Sequence, residues 1–135
     1  MKTFYIPGNT PSSKNSKMIT RSGCVLPSKN VRDWVEKTKG WFGYYKNDFL
    51  EAVKGKEKPY RIGFEFIRDS KRKFDYANAV QAIQDMMTGG FKKNRNEDTS
   101  WRTWIDDDNA DELLPVFLPY KHKHNDGGCN IIIFD

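Results

Sequence analysis

Three groups of acidic residues mark the second half of the chain. They are Asp75 in Lys73-Phe74-Asp75-Tyr76-Ala77-Asn78, Asp85, and the run Asp106-Asp107-Asp108 in Trp104-Ile105-Asp106-Asp107-Asp108-Asn109. Carboxylates grouped in a basic chain invite a cation between them. A hard divalent ion such as Mg²⁺ takes oxygen ligands, binds through one or two carboxylates and leaves room for phosphate oxygens. Phosphodiester hydrolysis needs such an ion to screen the anionic substrate, activate water and stabilise the leaving oxygen. Lys71, Arg72 and Lys73 lie just before Asp75, where they would hold a nucleic-acid backbone beside the metal.

Taken singly, each piece has a plainer use. A run of aspartates is commonly a solvated turn. An acid just before a helix favours that helix end electrostatically. A basic triplet is commonly a solvated strand end. The joint order of the pieces is what points to a metal.

The elements around them follow from periodicity. Residues 78–88 read as a helix with Ala79, Ala82, Ile83 and Met86 as its apolar stripe. Asn78, Gln81 and Asp85 fall at i, i+3 and i+7 and share another face. Gly89-Gly90 ends this helix. Residues 91–103 are polar and read as a mobile loop. If that loop folds over the helix, Asp107 and Asp108 converge with Asp75 and Asp85. Upstream, Asn30 reads as the N-cap of a longer helix, with Asp33 in its first turn. Val31, Trp34, Val35, Thr38, Phe42, Tyr45 and Phe49 then keep helical spacing to about Val53, and Gly40 and Gly43 weaken the middle. Residues 3–6 and 62–68 read as strands, the latter from the alternation of Ile62, Phe64 and Phe66. A small hairpin is expected around Arg21-Ser22-Gly23. Residues 114–120 and 130–134 read as a closing pair of strands around the turn at Asp126-Gly127-Gly128.

The chain has 135 residues, enough for one domain (1–135) with a real core. Its net charge of +5 and pI of about 9.2 favour an anionic partner. Hydrophobic content of 37% without a long apolar run argues against a membrane protein. The start Met1-Lys2-Thr3-Phe4-Tyr5-Ile6-Pro7 has no signal-peptide core, and Cys24 and Cys129 lack metal-ligand spacing. A cytoplasmic protein with two inert thiols is expected. His122 and His124 alternate between lysines and read as a basic exposed strand before a metal pair. Trp101 and Trp104 read as loop anchors before stacking groups.

The stretch 72–78, the helix segment Ala82-Ile83-Gln84-Asp85-Met86-Met87-Thr88 and the run 104–109 together resemble the RusA-like Holliday-junction resolvases of phages and bacteria, the crossover junction endodeoxyribonucleases. That family has a D-x-D-N motif leading into a helix, an Asp near the helix end and a double Asp beyond it. The first loop, Ile6-Pro7-Gly8-Asn9-Thr10-Pro11-Ser12-Ser13-Lys14-Asn15, is similar to the family's Pro-rich loop. The resemblance implies an α/β (mixed α+β) fold, a small mixed β-sheet packed by two main helices. It implies a homodimer that cuts four-way DNA junctions by paired symmetric nicks with Mg²⁺, or Mn²⁺ in its place, in a bacterial or phage-infected cell. Asp75 and Asn78 match the first Asp and the Asn of the motif, and Asp85 matches the helix Asp. Aligning the double Asp to Asp107-Asp108 makes Asp108 catalytic; a shift of one residue makes it Asp107. The metal set is then Asp75, Asp85, Asp107 and Asp108, and the DNA-binding set is Lys14, Lys17, Arg21, Lys71, Arg72, Lys73 and Asn78. Two positions depart from the pattern. Ala77 replaces the second motif Asp, and Gln81 stands where many members have Lys. The segment 88–102 is also longer than the family's usual turn. A catalytically weakened or inactive branched-DNA-binding protein of a phage or mobile element is the alternative, and a structural phage protein that binds RNA or protein is a third.

Overall fold

The alternation at Ile62, Phe64 and Phe66 makes a strand with one apolar face, which must be covered by a layer packed against the sheet. The computed structural model describes residues 1–12, 17–19 and 25–134, with the backbone alone at 17–19 and 25–27. In chain order its elements are β1 (Lys2–Pro7), β2 (Lys17–Ile19), β3 (Val25–Pro27), α1 (Lys29–Val53), β4 (Tyr60–Arg68), α2 (Tyr76–Met87), a 3₁₀ turn (Ser100–Arg102), β5 (Leu113–Phe117), β6 (Lys121–His122) and β7 (Gly128–Ile133). The main sheet runs β1-β7-β4-β5, with β6 also against β4. Its pairings are mixed: β7 is antiparallel to both β1 and β4, whereas β5 and β6 are parallel to β4. The fold is therefore mixed α+β, a five-stranded sheet with two helices, as expected.

The expected closing hairpin of 114–120 with 130–134 does not form. Those residues lie on opposite sides of β4, which pairs with β5 through Tyr60↔Leu113 and with β7 through Ile62↔Ile133. The reason is burial. Ile62, Gly63 and Phe64 are buried in succession, so β4 is covered on both faces as a central strand is. α2 is the crossover that lets β5 return parallel to β4. The smaller hairpin is present, β2 pairing β3 with Met18↔Leu26, while its expected turn at 21–23 lies outside the described residues.

α1 is longer at its start than Asn30 implied. Ser28 is the cap, its side chain accepting from the Val31 amide at 3.4 Å, and Asp33 is ion-paired to Lys29 at 2.6 Å. The stripe Val31, Trp34, Val35, Thr38, Phe42, Phe49 and Val53 is buried as its spacing requires. Phe49 stacks on Trp104 at 4.8 Å, and Trp104 meets Phe4 at 5.5 Å, so α1, β1 and the segment after the 3₁₀ turn share one aromatic core.

α2 begins at Tyr76 with Asp75 as its N-cap, and it ends in a Schellman motif. Gly90 N–H donates to the Asp85 carbonyl at 2.7 Å and Gly89 N–H to that of Met86 at 3.2 Å, with Gly89 at φ +78°. The loop that follows is tied down, contrary to the reading of 91–103 as mobile. Thr99 Oγ1 donates to the Gly89 carbonyl at 2.8 Å, and buried Arg102 donates to the Gly90 carbonyl at 2.8 Å. Carbonyls left open by the helix end thus become the anchor of a long polar segment.

Candidate metal and nucleic-acid site

The acidic run is placed by the end of α2. Trp104 and Ile105 N–H both donate to the Met87 carbonyl, at 2.8 and 3.2 Å. Trp104 itself is buried and donates from its indole to the Phe42 carbonyl at 2.7 Å. From that anchor the chain turns back beside α2. Asp107 shapes the turn, accepting from Asp108 N–H at 2.7 Å and from the Asn109 side chain at 3.2 Å.

Asp108 then reaches the middle of the helix. The Gln81 amide nitrogen donates to Asp108 Oδ2 at 3.0 Å and to Asp85 Oδ1 at 2.7 Å. One amide thus bridges two carboxylates that lie on separate elements, holding their oxygens no farther apart than those two bonds allow. Its nitrogen stands where a cation would bind them both. The donor set, two carboxylates and an amide, suits a hard cation that keeps several waters.

Asp75 does not join this pair. Its Oδ1 accepts from Asn78 N–H at 3.1 Å as the helix cap. Ten residues separate it from Asp85, about 15 Å along a helix at 1.5 Å per residue, so the two cannot share one ion. Among the described residues no group of three or more His, Cys, Asp or Glu side chains is close enough to hold a metal. Asp106 is exposed, and so are His122 and His124. The expected four-carboxylate set is therefore split between the two halves of α2.

The other half is a meeting point of loops at one end of the sheet. Asn78 Nδ2 donates to the Ser12 carbonyl at 3.3 Å, so Asn78 fastens the first loop to α2. Asn9 Oδ1 accepts from Asp69 N–H at 3.2 Å, and Arg68 donates to the Thr10 carbonyl at 2.7 Å. Arg68 is buried over the Phe74 ring at 4.5 Å, and burial lowers its pKa. Lys71, Arg72 and Lys73 project from this junction and are exposed. Lys14 and Arg21 lie outside the described residues, as does the side chain of Lys17.

Sequence reasoning missed one surface. Trp101 anchors its turn as expected, its ring packed over Gly43 of α1, but unlike Trp104 it is half exposed and lines one groove with Trp41 and Tyr44. The available signal was that Trp41 and Tyr44 are large aromatic residues lying off the apolar stripe of α1.

Compared with protein-family models and with curated proteins, the chain matches none. Among the described residues no helix is long and apolar enough to cross a membrane.

Proposed function

We propose that this protein is a Mg²⁺-dependent endodeoxyribonuclease that resolves four-way DNA junctions by paired nicks, a RusA-like resolvase. The observation that carries the reading is the Gln81 amide seated between Asp85 and Asp108. Those two carboxylates would hold the ion, with Mn²⁺ as a substitute, and Asp107 would fix the turn that presents Asp108. A bound ion would supply charge for the scissile phosphate and an activated water. Asp75 would act from the basic junction, where Lys71, Arg72 and Lys73 would grip the backbone. A second copy related by two-fold symmetry would bring a second site to the opposite strand.

The test is cleavage of a synthetic four-way junction with Mg²⁺ or Mn²⁺ against an EDTA control. Asp108→Asn and Asp75→Asn should each stop cleavage while junction binding persists. Asn caps a helix about as well as Asp, so Asp75→Asn removes charge without removing the cap. Junction affinity should fall steeply with salt, as released counterions require, and sedimentation should give a dimer. Wild-type cleavage rates in both variants would refute the site.

A second reading is supported by the same bridge. With Ala77 in place of a motif acid and Gln81 filling the space between the carboxylates, the chain would bind branched DNA without cutting it. Junction binding with no metal-dependent nicking by the wild-type protein is its signature.

A further inference from the structure

We infer that the exposed aromatic ledge formed by Trp41, Tyr44 and Trp101 is a binding site for unpaired nucleic acid, with bases stacked on its rings. It lies on the face of α1 and on the 3₁₀ turn, and it does not depend on metal binding at the acidic pair.

Three observations build the ledge. The rings are 41%, 71% and 49% exposed, in a chain whose other two tryptophans are buried. Gly43 holds Trp101 against the helix: a methyl group there would meet the indole Cζ3 at 2.5 Å. A mid-helix glycine costs about 1 kcal/mol relative to alanine, so α1 gives up stability where the Trp101 ring packs against it. The ledge is also backed by the core. Trp41 stacks on Tyr45 at 6.0 Å, Tyr44 meets Tyr45 at 5.2 Å, and Tyr45 packs on Phe4 at 5.4 Å. Rings held this way lose little freedom when a base lands on them.

Charge selects the occupant. The rings line an open groove of about 600 Å³ together with Lys37, Lys39 and Glu36. Glu36, the groove's one carboxylate, is already neutralised by Lys39 at 2.9 Å and Lys93 at 3.0 Å. Lys46, one turn along the helix, donates to the Ser100 carbonyl beside Trp101. Lysines thus interleave with rings along α1, at Lys37, Lys39, Trp41, Tyr44 and Lys46. Protein interfaces are depleted in lysine. A backbone of phosphates with a π-face on every base matches both parts of the pattern.

The test is a fluorescence titration with a short oligothymidylate in EDTA. Trp34 and Trp104 are buried, so stacking should quench the signal of Trp41 and Trp101. Trp41→Ala, Tyr44→Ala and Trp101→Ala should each weaken binding about tenfold, within the range found for base–aromatic stacking, and Trp101→Phe should restore most of it. Lys37→Ala should reduce the salt slope by about one. Tyr44 is the most exposed ring, so Tyr44→Ala tests the idea even if a tryptophan variant misfolds. Absence of quenching overturns the proposal, as does wild-type affinity in folded Trp41→Ala and Tyr44→Ala. A change in sedimentation with unchanged oligonucleotide affinity also overturns it, by assigning the ledge to a second copy. Quenching in EDTA without junction cleavage in Mg²⁺ would leave the ledge standing and remove the nuclease reading; cleavage without quenching would do the reverse.

Discussion

Replacing Gln81 with Glu turns the bridge into a conflict, and the size of that conflict follows from the geometry. The Gln81 nitrogen lies 2.7 Å from Asp85 Oδ1 and 3.0 Å from Asp108 Oδ2. A carboxylate oxygen in its place makes two like-charge contacts, each about 1.4 kcal/mol at the dielectric of water. Gln81 is exposed and the two acids are half-buried, so the side chains can swing apart and shed part of this. A net loss of about 1–2 kcal/mol remains, an expected fall of about 4–8 °C in Tm for a chain of this size. Gln81→Ala is the control, since it removes the bridge without adding charge.

The same three carboxylates become a better cation site. Saturating Mn²⁺ at about a hundred times its Kd would return about 2.7 kcal/mol, more than the loss. Thermal unfolding in EDTA and then in Mn²⁺ should therefore show Gln81→Glu below wild type in the first and level or above in the second. An unchanged Tm in EDTA would mean that the bridge does not exist. A loss that Mn²⁺ does not repair would mean that Asp85 and Asp108 do not form a cation site.

Ala77→Asp places a carboxylate one helical turn before Gln81, flanking Asp108 from the side opposite Asp85; the Mg²⁺ needed for half-maximal cleavage should fall, and no change would count against a cation on this ridge. Gly89→Ala forces a side chain into the left-handed region and into Thr103 Oγ1 at 2.4 Å and Thr99 Oγ1 at 2.7 Å. That change should cost about 3 kcal/mol by calorimetry, from backbone strain and the hydrogen bonds it displaces. Burial pushes the Cys129 thiol pKa far up. In a Cys24→Ser background, a thiol reagent should then label native protein only on the unfolding timescale. Hydrogen bonds from Lys39 and then Lys93 hold the Glu36 pKa below its ordinary value. This tie between α1 and the loop is present at neutral pH and lost as pH falls through the lowered pKa; an NMR titration should show the Glu36 pKa move up in Lys93→Ala.

The parts of the fold that were legible are those set by local pattern. The buried stripe of α1, the stripe of α2 and its glycine stop all follow from spacing within one element. The closing hairpin failed because strand order depends on which strand must be buried on both flanks. That shows in the burial of both faces of β4 at Ile62, Gly63 and Phe64, not in the turn at Asp126-Gly127-Gly128. The loop 91–103 failed for a related reason. Its polar residues suggest solvent, but Thr99 and Arg102 spend their donors on the carbonyls of Gly89 and Gly90, which the Schellman turn leaves exposed.

The candidate site divides along the same line. Order along the chain correctly brought the 104–109 run to α2, because Trp104 belongs to the core and drags the aspartates with it. Order could not say which part of the helix they would meet. The answer lies in one row of α2, where Ala77, Gln81 and Asp85 succeed each other at intervals of four. Asp108 arrives at the middle of that row and finds an amide, with a methyl on one side and a carboxylate on the other. The two departures from the resolvase pattern, at Ala77 and Gln81, are therefore adjacent positions on one surface. An acid at the first and a lysine at the second would surround Asp108 with charge. As the chain stands, Gln81 satisfies two carboxylates with neutral hydrogen bonds. Any cation that enters must compete with that amide, so metal affinity should be weak in the natural chain and should tighten when an acid replaces the residue at either position.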